Sequence, residues 1–124
     1  MNYTKMILAS AAFLAASNAL AGGDHKPKFG GVVQEVNEIQ YELVAKADTI
    51  ALFIEDHGKP VDTKGATAKI TLLADKEKSD VVLSPVGGNK MEAKGTFNAK
   101  TGTKVVAVIA LSGRATTAVR FVVP

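Results

Sequence analysis

The chain has 124 residues, with 15 Lys and Arg against 12 Asp and Glu, a formal net charge of +3, and neither Cys nor Trp. The missing cysteine excludes a disulfide framework and a lipid-modified cysteine, so a fold of this size rests on its apolar core alone. Lysines and acids are interspersed, without an arginine cluster, an aromatic ladder or a basic stripe, and no nucleic-acid partner is expected.

The first residues carry an export pattern. Lys5 precedes an apolar run over residues 6–16 that only Ser10 interrupts, and Ser17-Asn18 leads into Ala19-Leu20-Ala21. A positive start, an apolar stretch and Ala-x-Ala form the secretory signal. Residues 1–21 are therefore expected to be a cleavable signal peptide and the protein to be periplasmic. The apolar run is shorter than the roughly 20 residues a spanning helix needs, so no membrane span is expected once the leader is removed. Loss of Lys5 lowers the charge by one and leaves residues 22–124, enough for one domain with a modest core. Within them residues 22–31, Gly-Gly-Asp-His-Lys-Pro-Lys-Phe-Gly-Gly, read as a flexible arm and residues 32–124 as the domain.

Residues 32–36 predict a weak first strand, and Asn37-Glu38 a tight turn. Tyr41, Leu43 and Ala45 then alternate with Glu42, Val44 and Lys46. After a turn at Ala47-Asp48, Ile50, Leu52 and Ile54 alternate with Ala51, Phe53 and Glu55. A period of two marks strands with one face on a core. Asp56-His57-Gly58-Lys59-Pro60 is a polar break, residues 61–65 are a short connection, and residues 66–74 are a strand with Ala68, Ile70, Leu72 and Ala74 on one face. Residues 75–79 are expected as a charged turn and residues 80–84 as a strand closed by Pro85. Gly87-Gly88-Asn89 turns the chain into a strand over 90–94, with Asn89, Met91 and Ala93 on one face. Residues 98–103 turn around Gly102.

Next, Val105, Ala107, Ile109 and Leu111 alternate with Val106, Val108 and Ala110. Both faces are apolar, as in a central strand covered on both sides or one covered by a partner. Ser112-Gly113-Arg114 signals a hairpin into a last strand over 115–123. No segment after Ala21 carries a capped helical stripe. The expected fold is all-β, an antiparallel immunoglobulin-like β-sandwich of seven or eight short strands, with an open barrel as the alternative.

Chemistry is sparse. His25 and His57 are the histidines, and neither lies in a triad or metal-hydrolase motif, so no enzyme is expected. Metal binding is the sharper candidate. The imidazoles of His25 and His57, the carboxylates of Asp24 and Asp56 and the thioether of Met91 suit copper or zinc. Each has a structural alternative: His25 as a solvated arm residue, His57 as a turn residue before Gly58, Met91 as core packing. Gly30-Gly31 and Gly87-Gly88 open no helix and read as turns, not phosphate cradles.

Tyr41-Glu42-Leu43-Val44, the run Phe53-Ile54-Glu55-Asp56-His57-Gly58-Lys59-Pro60-Val61, and Gly65-Ala66-Thr67-Ala68-Lys69 carry a family resemblance. Over residues 29–123 the chain resembles small periplasmic β-sandwich proteins and domains that accompany heavy-metal efflux systems. These include the extra N-terminal domain of some zinc/cobalt/cadmium-type efflux adaptors and YtkA/FixH-like domains. Such relatives often carry a His directly before the paired glycines; Phe29 stands there in this chain, and only His57 keeps a matching position. The adaptors' long helical hairpin has no counterpart. The resemblance implies a periplasmic accessory of copper or zinc homeostasis that binds the ion, with His57, His25 and Asp56 as candidate ligands, or docks on a metal-efflux component. The alternative is an interaction or structural module with no metal role.

Overall fold

The computed structural model describes residues 26–124. The signal peptide expected over 1–21, and the candidate ligands Asp24 and His25, lie outside the described residues. Among those described there is no helix, hence none long and apolar enough to cross a membrane. The fold is all-β, with nine antiparallel strands in one nearly closed sheet. They are β1 (Val32–Val36), β2 (Ile39–Ala45), β3 (Thr49–Asp56), β4 (Lys59–Pro60), β5 (Thr67–Ala74), β6 (Glu77–Pro85), β7 (Lys90–Lys94), β8 (Lys104–Ala110) and β9 (Thr117–Val122).

The strand order is β1-β2-β3-β7-β6-β5-β8-β9, with β4 paired to the free end of β3. Strand β6 joins the two halves of the sheet. Most of it pairs with β5, while Ser84 and Pro85 pair with Glu92 and Met91 of β7. The connections β3 to β5 and β7 to β8 leave one half for the other, so the halves cannot be separate hairpin stacks. At the open seam β1 lies beside β9 without a hydrogen-bonded ladder.

The core is enclosed by this curved sheet. Tyr41, Leu43, Ile50, Leu52, Ile54 and Met91 face it from the first half, and Ile70, Leu72, Val105, Ile109, Val119 and Phe121 from the second. The period-two alternation of β2, β3, β5 and β8 produces this directly, because successive side chains point to opposite faces. Met91, one of the candidate metal ligands, is fully buried opposite Leu52 and serves as packing.

Two expectations about strands change. The strand count is nine and not seven or eight, because Lys59 and Pro60 fold back onto Asp56 and Glu55 as a two-residue strand. Pro60 is tolerated there because β4 lies at an edge, where its missing N–H interrupts no ladder. The charged turn expected over 75–79 is only Asp75-Lys76, with Ala74 paired directly to Glu77. The residues from Glu77 to Asp80 are strand, but all are exposed. They form the part of β6 that pairs with β5 alone, open on its other side, and their charges resemble turn chemistry.

Candidate functional site

Two tight turns and one loop converge at one end of the sheet. Asn37 and Glu38 link β1 to β2 with φ of 52 and 69°, and His57 and Gly58 link β3 to β4 with φ of 53 and 82°. Two consecutive left-handed residues make the two-residue turn that matches strand twist, and Asn and Gly favour it. Glu38 and His57 are held in it at some steric cost. The third contributor is Arg114, in the loop between β8 and β9.

Asp56 ties the cluster together. Its Oδ1 lies 2.5 Å from His57 Nδ1, and its Oδ2 accepts a hydrogen bond from Arg114 Nη2 at 3.1 Å. The bond from His57, then the bond from Arg114, holds the Asp56 carboxyl below the usual carboxylate range against an opposing effect of desolvation. An ionised Asp56 accepts hydrogen bonds only, so it selects the tautomer of His57 that carries its proton on Nδ1. Nε2 is then the free lone pair of the neutral ring. It lies 3.8 Å from Glu38 Oε2. The His57 side chain is 67% exposed and that of Glu38 76%, so this end of the sheet is open to ligands from solvent. Beneath it, Tyr41 bonds Thr117; burial pushes its phenol up, against the opposing effects of that bond and the Arg114 charge.

Beside the cluster runs a groove of about 520 Å³ between the arm and the outer face of β1, β2 and β3. Lys26 and Pro27 line one part of it and His57 and Gly58 another. The arm's course is set by Glu42. Its carboxylate, 6% exposed, accepts the backbone N–H groups of Lys28 at 2.7 Å, Phe29 at 2.8 Å and Gly31 at 2.9 Å. Lys28 Nζ pairs with Glu55 at 2.9 Å. Phe29 stacks on Phe53 with centroids 3.8 Å apart and planes 10° from parallel, and Lys90 sits 5.5 Å from the same ring. Gly31 must be glycine: a Cβ there would lie 2.1 Å from the Leu43 carbonyl oxygen.

Of the sequence candidates, Asp56 and His57 are thus in contact, Met91 is in the core, and Asp24 and His25 precede the first described residue. No group of three or more His, Cys, Asp or Glu able to hold a metal occurs among the described residues. Sequence reasoning missed Glu38, Arg114 and Glu42. Arg114 is one of only two arginines in the chain and sits in a predicted hairpin turn, a hint that a carboxylate lies across from it. Nothing local distinguishes Glu42 from any outward-facing strand carboxylate.

Comparisons of the chain with protein-family models, curated proteins and solved structures return no match. The functional reading therefore rests on the geometry at the Asp56–His57 end and on the resemblance carried by residues 41–69.

Proposed function

We propose that this is an exported, non-enzymatic accessory protein with an immunoglobulin-like β-sandwich fold. It binds a borderline metal ion, copper or zinc, at the His57 end in the service of metal-ion resistance. The observation that carries this reading is the Asp56–His57 pair. Ligating histidines characteristically donate their second ring N–H to a carboxylate, which fixes the tautomer and raises the basicity of the free nitrogen. Asp56 then acts as the orienting group, not as a direct ligand, and His57 Nε2 as the donor, with Glu38 the nearest second donor. A contribution from His25 rests on the sequence alone. An exposed site with so few donors binds weakly. The sandwich reading is supported by a core enclosed between β1-β2-β3-β7 and β6-β5-β8-β9, and the link to an efflux component by the sequence resemblance alone.

Calorimetric titration with Zn(II), Cu(II) and Cu(I) tests it. Binding weakens by at least tenfold in His57→Ala, and by about 10–100-fold in Asp56→Asn if Asp56 orients the ring. Heats equal to those of a His25→Ala/His57→Ala double variant sink the metal reading. A second reading, an interaction module with no metal role, is favoured by one observation. The Arg114 guanidinium on Asp56 places a cation beside the candidate ligands, which opposes a metal ion.

A further inference from the structure

The outer face of the second half of the sheet gathers Leu73, Val82, Val108 and Val122, four of the six exposed large hydrophobic side chains among the described residues. Register places Lys78, Leu73, Lys104 and Val122 in one row across β6, β5, β8 and β9, and Asp80, Thr71, Val106 and Arg120 in the next. Leu73 and Val122 are 42% and 54% exposed, and Val82 and Val108 on the same face are likewise open. Leu73, Val106 and Val122 line an apolar groove of about 330 Å³, and Lys78, Lys104 and Arg120 line it with them. None of these three cations is in an ion pair with a described residue; Asp80, the acid in the same row as Arg120, accepts a hydrogen bond from Thr71 and lies 3.8 Å from Lys69.

An apolar centre rimmed by cations that pair with no described residue, beside one acid already engaged by Thr71 and Lys69, sets the chemistry of its occupant. A second copy of this chain docking face to face would oppose cation to cation, which destabilises that interface. The complementary partner is apolar at its centre and negative at its rim. We propose that this face docks on the surface of a bilayer rich in anionic phospholipid. Leu73, Val106 and Val122 sink to the headgroup–acyl boundary, and Lys78, Lys104 and Arg120 contact the phosphates. Cations near an anionic leaflet each strengthen binding, and a shallow apolar face adds to it without spanning. The inference does not depend on the metal reading.

Vesicle co-sedimentation with the full chain tests it, using vesicles of pure zwitterionic lipid and vesicles with an anionic fraction. The readout is the difference between variants that share residues 1–25, so any contribution of that segment cancels. The wild type partitions onto anionic vesicles in preference to neutral ones, and the preference shrinks with added salt. Lys104→Gln/Arg120→Gln lowers the anionic partition by roughly fivefold per cation, and Leu73→Ser/Val122→Ser lowers it further. Lys46→Gln/Lys94→Gln, which removes the same charge from the other half, leaves the partition near wild type. Equal loss in both charge variants overturns the proposal, because net charge alone then explains binding. So does an anionic-over-neutral preference that is the same in the wild type and in Lys104→Gln/Arg120→Gln, or no vesicle binding. Unchanged thermal melts of the exposed-residue variants separate lost docking from lost fold.

Discussion

On the outer side of β2 and β3, Glu42 and Phe53 are covered by residues 28–31 of the same chain, whereas on the outer side of β5, β8 and β9, Leu73, Val108 and Val122 stand open to solvent. Both faces come from the same strand alternation. The difference lies in one carboxylate. Glu42 sits in the middle of the first face and offers two oxygens to backbone N–H groups that have no strand partner. A segment without a ladder can then lie flat on a sheet with its donors satisfied. The second face offers Lys78, Lys104 and Arg120, which give a passing backbone nothing to donate to, and its carboxylate Asp80 is already engaged by Thr71 and Lys69. Whatever binds there must bring its own negative charge.

The largest expected effect comes from breaking the cover. Glu42→Ala removes the acceptor of three N–H groups at once. Hydrogen bonds to charged groups contribute more than neutral ones, and the loss is expected to be roughly 1–3 kcal/mol, limited by the arm's freedom to move off and rehydrate. Denaturant unfolding measures the stability, and amide exchange at Lys28, Phe29 and Gly31 reports the latch itself. Glu42→Gln, keeping one acceptor oxygen, falls between. Unchanged exchange at those amides in Glu42→Ala would mean that the Phe29–Phe53 stack alone holds the arm.

A smaller effect is expected at the Asp56 end, which lies beside the covered face. The Asp56 carboxyl is held below its ordinary value by His57 and Arg114. A depressed folded value means that its contribution to stability is complete above the unfolded value, near pH 4, and disappears as pH falls through the folded one. The side chain is 29% exposed, so solvent screens the pairing and the contribution is modest. In a series of melts from pH 6 to pH 2, Asp56→Asn should show a shallower acid limb than the wild type. Superimposable limbs would show that the pairing adds no stability.

How much of this could be read from the chain follows the same division. The interior faces of β2, β3, β5 and β8 were legible because burial of one face imposes a period of two on Tyr41, Leu43, Ile50, Leu52, Ile70 and Ile109. The start of β6 was not, because a stretch exposed on both faces has no buried face to write a pattern. Strand β4 was missed because two residues carry no period. At the candidate site, Asp56-His57-Gly58 stood out as a polar turn. Its partners did not, since Arg114 lies 58 residues away in sequence and Glu38 reaches His57 only through the register of β2 on β3. The burial of Glu42 was equally hidden: it depends on where the arm goes, which no residue of β2 declares. The doubly apolar strand over 105–111 predicted a central strand covered on both sides or by a partner. It is central and has one face in the core, while the other is uncovered by any described residue.

That last point gives the smallest and most discriminating prediction. Val108 is 43% exposed at the centre of the open face. If nothing of this chain covers it, Val108→Thr keeps the β-branched shape that suits a strand and changes stability by no more than about 0.5 kcal/mol. The same substitution at a packed apolar position leaves a hydroxyl without a partner and costs about 1–3 kcal/mol. Denaturant midpoints of Val108→Thr and Val105→Thr, one residue type on the two faces of one strand, therefore measure the asymmetry directly. A large loss at Val105 with almost none at Val108 keeps the second face free for an outside partner. Equal losses would mean that the face is covered in solution, by a second copy or by a segment of the chain itself, and the contrast between the two outer faces would vanish.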